Sequence, residues 1–239
     1  METSEPSSKK ISTQQQVWNA IAEEWHKFKV KEEKTNKNTI KFLKSQTGKI
    51  LDLGSGSGRY LTKIKNGEMY LIDFSGEMIN LAKKLSKNKK IPAKFFVSDM
   101  TKLPFEDNFF NSAIASSSFH CLNKAQQKKA AKELYRVLKP KAKAEISVWN
   151  IESKRFKNAQ KEKYIKWRNK GKRYYYLFEP EEAYELFEKA GFKIKKSLHS
   201  SRFLDAQKCT KNKNISDIVK KEEPGIMISF IVEKYKIKN

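Results

Sequence analysis

Apolar residues in this chain gather in short runs, each closed by an acid, serine or glycine and followed by a charged stretch in which apolar positions return at helical spacing. Such runs read as buried strands, and the stretches between them as amphipathic helices. The runs are ILDL at 50–53, MYLID at 69–73, AKFFV at 93–97, the apolar start of NSAIASSS at 111–118, and AEISVW at 144–149. Between them, SGEMINLAKKL is a helix capped by Ser75, and Asn123 caps AQQKKAAKELYRVLK, which buries Ala130, Leu134, Val137 and Leu138 and ends at Pro140. Pro180 opens a further helix that stops at Gly191, after which residues 192–198 and 226–232 read as closing strands. Near the amino end Val17, Ile21, Trp25 and Phe28 form one apolar stripe of a helix starting at Thr13, and a second helix covers about 38–45. Residues 1–12 carry no periodicity and read as a disordered tail; the rest, 13–239, is one α/β domain with a doubly wound, largely parallel sheet.

The first strand ends in Asp52 and runs into Gly54, Gly56 and Gly58, a strand turning into a helix through a loop that can approach a ligand closely. The pattern is D-x-G-x-G-x-G rather than the dinucleotide G-x-G-x-x-G, and no Lys-Ser/Thr follows as in a phosphate loop. An acid before the glycines repels a pyrophosphate but suits a ligand carrying an ammonium group and a ribose, as S-adenosylmethionine does. About twenty residues on, Asp73 ends the second strand where a doubly wound fold places its ribose-binding acid; it can equally serve the start of the next helix beside Ser75. Asp99 and Met100 end the third strand at the same crevice. After the fourth, Ser116 and His120 are candidates for lining it, with His120 the candidate catalytic residue, and Trp149 ends the fifth strand there.

These motifs resemble class I S-adenosylmethionine-dependent methyltransferases. The resemblance implies a Rossmann-like, mostly parallel seven-stranded sheet with the last strand antiparallel. It implies that Gly54, Gly56 and Gly58 line the methionine portion, that Asp73 binds ribose, that Asp99 and Met100 meet adenine, and that Trp18 covers the cofactor. Two further segments, VWNAIAEEWHKFK and KRYYYLFEPEEAYELFEKAGF, resemble the tRNA wobble-uridine carboxymethyl methyltransferases over most of residues 17–192. The chain departs from that family at Lys29, Cys121 and Tyr176. The resemblance implies methylation of the carboxylate of 5-carboxymethyluridine, Lys29, Trp149, Arg155, Arg173, Tyr174 and Tyr176 as substrate-binding residues, and a small zinc-binding activator protein at the sheet edge. A methyltransferase acting on a small molecule shares the same cofactor half and is the alternative; an RNA-binding scaffold without activity is the third reading.

Charge changes the picture most. With 51 basic and 27 acidic residues the net charge is +24, which attracts polyanions, although six arginines among the 51 fit a general lysine bias as well as a selected face. Basic and aromatic residues alternate over 150–180, the expected substrate lid, where Arg155, Arg168 and Arg173 are candidates for phosphate contacts; Tyr164 and Trp167 are expected to pack inward. The polar stretch 201–225 reads as a mobile basic loop. Two cysteines and three histidines show no metal-ligand spacing, no apolar run is long enough to span a membrane, and the amino end lacks a secretory signal, which predicts a cytoplasmic protein without a bound metal.

Overall fold

The structure is a computed structural model describing residues 7–30, 35–199, 202–205 and 225–235. Helices α1 (Ser7–Val30) and α2 (Lys37–Lys44) precede β1 (Gly48–Leu53), β2 (Gly67–Asp73), α3 (Gly76–Lys89), β3 (Ala93–Val97) and β4 (Phe110–Ser116). Then come α4 (Lys124–Val137), β5 (Leu138–Trp149), β6 (Glu162–Lys166), β7 (Lys172–Tyr176), α5 (Pro180–Lys189), β8 (Phe192–His199), β9 (Arg202–Asp205) and β10 (Met227–Lys234).

The main sheet has the order β3-β2-β1-β4-β5-β10-β8-β9. Strands β1 to β5 pair in parallel, and β10 lies antiparallel between β5 and β8. The expected seven strands are therefore present in Rossmann-like order with the last one reversed. One more short strand, β9, extends the edge inside the stretch expected to be loop; residues 206–224 of that stretch lie outside the described residues, as do residues 1–6 of the expected tail.

Burial explains the layering. Leu51, Leu53, Phe110, Ala113 and Ile146 are fully buried with Leu134 and Val137 of α4, while Ile50, Leu71 and Ile114 pack with Leu43 of α2 and Ala82 of α3. Each large apolar side chain so buried contributes roughly 1.5–3 kcal/mol. Asn123 caps α4 as expected, in a reciprocal capping box with Gln126. One polar tie crosses the layers: Thr39 Oγ1 donates to the buried Glu145 carboxylate at 2.7 Å.

Four local expectations are corrected. No helix follows the glycine loop; residues 54–66 cross from β1 to β2 as turns, because three glycines and Asn66 hold positive φ and Thr62 and Ile64 are β-branched. Helix α1 begins at Ser7 rather than Thr13, since the polar run before Thr13 contains no helix breaker. Helix α4 ends at Val137, before Pro140, because proline forces Lys139 into extended backbone and Leu138 already pairs with Phe110 in the sheet. The basic aromatic stretch contains an antiparallel hairpin, β6 with β7, on which Trp167 is half-buried but Tyr164 is 47% exposed rather than packed inward.

Candidate active site

The carboxyl ends of β1 to β5 open on one pocket, roofed by α1 and the β6–β7 hairpin. Parallel strands leave this end for ligands, because their helices return on the faces. Helix α1 is stitched on from both sides. Gln15 Nε2 donates to the Phe74 carbonyl at 2.6 Å, and Ser75 Oγ donates to Asn19 Oδ1 at 2.6 Å. On the hairpin side Gln14 Nε2 donates to the Lys172 carbonyl at 3.1 Å, and Gln14 Oε1 accepts the Tyr174 N–H at 2.9 Å. The Glu24 carboxylate holds the hairpin tip through Trp167 Nε1, Arg168 and Lys170.

At one end of the pocket stand the expected acids. Asp52 is 1% exposed; burial, reinforced by the charge of Asp73, raises its pKa to about 8, and its Oδ2 has no hydrogen-bond partner. Asp73 is raised to about 6 by burial, although its oxygens accept N–H groups from Ser75 at 2.9 Å and Gly56 at 2.8 Å. It serves the start of α3 and also lines the pocket. Asp99 and Met100 line the wall beside it, and Ser116 completes this side through contacts with Tyr60 Oη at 3.2 Å and Ser147 Oγ at 3.1 Å.

Gly54 has φ +74, and a Cβ there would fall 2.4 Å from Ser118 Cβ, so glycine is required for two loops to touch. Gly56 faces open space in the pocket. Gly58, expected beside the cofactor, instead faces Ala82 of α3 and does not line the pocket, because the turn carries it under the sheet.

Aromatic residues build the other end. Trp18, Trp25, Lys29, His120, Cys121, Trp149, Tyr174 and Tyr175 line it. Trp149 stacks on Tyr175 at 4.3 Å and on His120 at 4.8 Å between ring centres. His120 Nδ1 accepts the Trp149 backbone N–H at 3.1 Å, so the neutral ring carries its proton on Nε2. Burial, helped by Lys29, lowers its pKa to about 3. His120, the candidate catalytic residue, thus lines the pocket as a neutral ring with Nε2–H as its remaining donor. Burial also pushes the Cys121 thiol up to about 12, which makes it inert.

Three expected substrate residues lie elsewhere. Tyr176 Oη donates to Glu182 and is turned away from the pocket. Arg155 is exposed outside it, with its guanidinium carbon 5.5 Å from the Trp149 ring centre. Arg173 is 4% exposed and does not line the pocket; alternation on β7 puts it on the same face as Tyr175, where it packs against Trp18 and Trp25 of α1. Sequence reasoning missed Arg59, whose buried Nε has no partner at the pocket, although its place directly after the third glycine was a signal. It also missed Ser118, whose Oγ has no hydrogen-bond partner, and Trp25, whose place on the apolar stripe of α1 read as core.

Comparison with known proteins agrees with this architecture. Residues 50–141 match the family described as Methyltransferase domain. The ubiquinone/menaquinone biosynthesis C-methyltransferase UbiE of Neisseria meningitidis is 34% identical over 97 residues, 38% of this chain and 39% of that protein. The chain thus matches about two fifths of that relative's length. Among solved structures, the complex between the Haloferax volcanii Trm112 methyltransferase activator and a putative methyltransferase is similar with a TM-score of 0.65 and 17% identity, covering 92% of this chain and 96% of that one. The 1,6-didemethyltoxoflavin-N1-methyltransferase of Burkholderia thailandensis, with bound 1,6-didemethyltoxoflavin and S-adenosylhomocysteine, has a TM-score of 0.67 and 13% identity over 99% of this chain and 93% of that one. At these identities the structures establish the fold, that of class I methyltransferases, and the sequence match to the methyltransferase family is confined to residues 50–141.

Proposed function

We propose that the chain is an S-adenosylmethionine-dependent methyltransferase whose acceptor is a small molecule. The observation that carries this is one pocket with two unlike ends. At the acidic end Asp52 Oδ2, Arg59 Nε and Ser118 Oγ are buried without hydrogen-bond partners, a donor and acceptor set that fits the ammonium and carboxylate of an amino acid. Asp52 would hold the ammonium, Arg59 the carboxylate, Asp73 the ribose through lone pairs its backbone bonds leave over, and Asp99 with Met100 the adenine. When bound, S-adenosylmethionine supplies an activated methyl group on a sulfonium.

The chain's own contribution is to hold an acceptor in line with that group between Trp18, Trp149 and His120, under a roof that excludes water. An acceptor oxygen already ionised at neutral pH needs no base, which agrees with a neutral, donating His120.

The size of the acceptor follows from the arginines. Arg168 pairs with Glu24 at 3.3 Å and Arg173 is buried, so of the three arginines expected to meet phosphates only Arg155 is exposed without an acidic partner among the described residues. The small-molecule reading is favoured for that reason, and the quinone-biosynthesis and toxoflavin methyltransferases among the named relatives support it. A tRNA acceptor, including the wobble carboxymethyluridine, is the second reading; Tyr164, exposed among Lys161, Lys163 and Lys166 on the hairpin, favours it. A zinc-binding activator would find its place along the edge strand β3, where Val97 is 56% exposed.

Calorimetry with S-adenosylhomocysteine tests the cofactor half, and saturable one-to-one binding is expected. Labelled methyl supplied with a metabolite extract and bulk tRNA separates the acceptors: label in the low-molecular-weight fraction is expected, and label confined to RNA would replace the first reading by the second.

A further inference from the structure

The turn that follows β2 joins the pocket to its roof. Asp73, which lines the pocket, spends one oxygen on each side: Oδ1 accepts the Ser75 N–H at 2.9 Å and Oδ2 the Gly56 N–H at 2.8 Å. The glycine loop and the turn 73–75 are therefore held by one side chain. Ser75 is fully buried, and its Oγ caps α3 by accepting the Met78 N–H at 3.2 Å.

The same turn is gripped from outside by α1. The Phe74 carbonyl accepts from Gln15 Nε2 at 2.6 Å, and the Ser75 hydroxyl gives its proton to Asn19 Oδ1 at 2.6 Å. Gln15 and Asn19 lie one helical turn apart on α1, so both reach the same spot. Asn19 Oδ1 also accepts the Glu77 N–H at 3.4 Å; a backbone N–H can only donate, which fixes the amide oxygen on this side. Glu77 belongs to the first turn of α3, whose N–H groups have no partner within the helix. The roof thus supplies a second cap to α3, next to the carboxylate expected to meet the ribose. Trp18, the neighbour of Asn19, lines the pocket.

We propose that Asn19 is a positioning residue that couples the roof to the cofactor: through Ser75 it ties α1 to the turn carrying Asp73, so that the wall containing Trp18 is closed by the bound cofactor and the acceptor meets a complete site only afterwards. The proposal rests on the reading of Asp73 as the ribose-binding acid. A ribose that donates to Asp73 fixes that carboxylate, the carboxylate fixes the Ser75 amide, and the Ser75 hydroxyl fixes Asn19. When α1 swings away, Ser75 O–H and Glu77 N–H both lose their acceptor, which opposes opening. Each event therefore favours the other, and the coupling is reciprocal.

Hydrogen exchange read by mass spectrometry follows α1 directly, with S-adenosylhomocysteine as the probe and no turnover needed. In the native protein saturating S-adenosylhomocysteine is expected to slow exchange over residues 14–29 at least about tenfold. Calorimetry of Asn19→Ala should show an affinity roughly fivefold lower, the scale of one lost cap. At saturation that variant should keep the slowing over residues 73–79 and lose it over 14–29. Asn19→Asp keeps the accepting oxygen and adds a charge suited to a helix N-terminus, so it should restore both. Gln14→Ala cuts α1 from the hairpin but leaves the turn alone; its α1 should exchange faster without ligand and still slow on binding.

Equal slowing over 14–29 in the native protein and in folded Asn19→Ala overturns the proposal. So does an equal loss in Gln14→Ala, which would make Asn19 one structural contact among several. Should Asn19→Ala fail to fold, Gln15→Ala, which cuts the neighbouring tie to the same turn, is judged by the same ratio of exchange rates. Native protein that does not bind S-adenosylhomocysteine removes the cofactor reading and the proposal with it, whereas binding without slowing over 14–29 removes the proposal alone.

Discussion

Asp52 and Asp73 show how one residue can serve both stability and binding. Burial raises both carboxyl groups, Asp52 to about 8 and Asp73 to about 6. A raised carboxyl favours the folded state when protonated, so that contribution is complete below the ordinary carboxylate range and is lost as pH rises through about 6 and then about 8. The ligand-free protein is therefore expected to melt at lower temperature at pH 9 than at pH 6.5, while affinity for the cationic S-adenosylmethionine rises over the same interval. Asp52→Asn should flatten the melting profile near pH 8 and weaken cofactor binding, measured by thermal melts and calorimetry across pH; a mutant that keeps the native pH profile would show that Asp52 is not the titrating group. Asp73→Ala should cost cofactor affinity at least about tenfold, as loss of hydrogen bonds to a charged group implies. These acids were legible in sequence because each closes an apolar run. His120 was legible as a wall residue but its tautomer was not, since the bond that fixes it comes from an amide 29 residues away.

Among the elements, the glycine loop carries the sharpest contrast. Gly54 sits where a Cβ would strike Ser118, whereas Gly56, also at positive φ, faces open space. Gly54→Ala adds a clash to left-handed strain and is expected to cost on the order of 2–4 kcal/mol and to abolish cofactor binding. Gly56→Ala adds the strain alone, about 1–2 kcal/mol, with the fold retained. Urea denaturation of both variants checks this, and equal losses would contradict the close approach of the two loops at Gly54. Spacing in the sequence could reveal three glycines but not their different tasks: Gly58 serves α3 and not the ligand. The helix expected after the loop was illegible for a related reason, because a short crossover with several positive φ values closes as turns regardless of its apolar pattern. The hairpin was likewise hidden, its five-residue strands being too short to separate from a helical reading by periodicity.

For the whole molecule, a charge of +24 predicts salt-dependent attraction to any polyanion. Arg173 is buried and Arg168 is paired, so Arg168→Ala and Lys89→Ala are expected to lower tRNA affinity equally and slightly across a salt series, measured by filter binding. A selective loss at Arg168, with a change of nearly one in the logarithmic salt slope, would revive the hairpin as a specific tRNA surface. Among the described residues no helix is long and apolar enough to cross a membrane, and no cluster of three or more His, Cys, Asp or Glu could hold a metal ion. The sequence by itself determined the first five strands, the acids that close three of them and the glycine loop, because strand burial and turn chemistry are local and repeat at fixed spacing. It also marked Trp18 and Lys29 as pocket residues, through the resemblance of the segment around them. Tertiary structure alone decided that Arg173 is bonded to Tyr175 inside a ring of tryptophans from α1 and the hairpin, that Tyr176 turns outward to Glu182, and that Arg59 and Ser118 share the pocket with the acids. Those facts depend on which faces of distant segments meet, and the packing of α1 against β7 joins residues more than a hundred positions apart, beyond the reach of any local pattern.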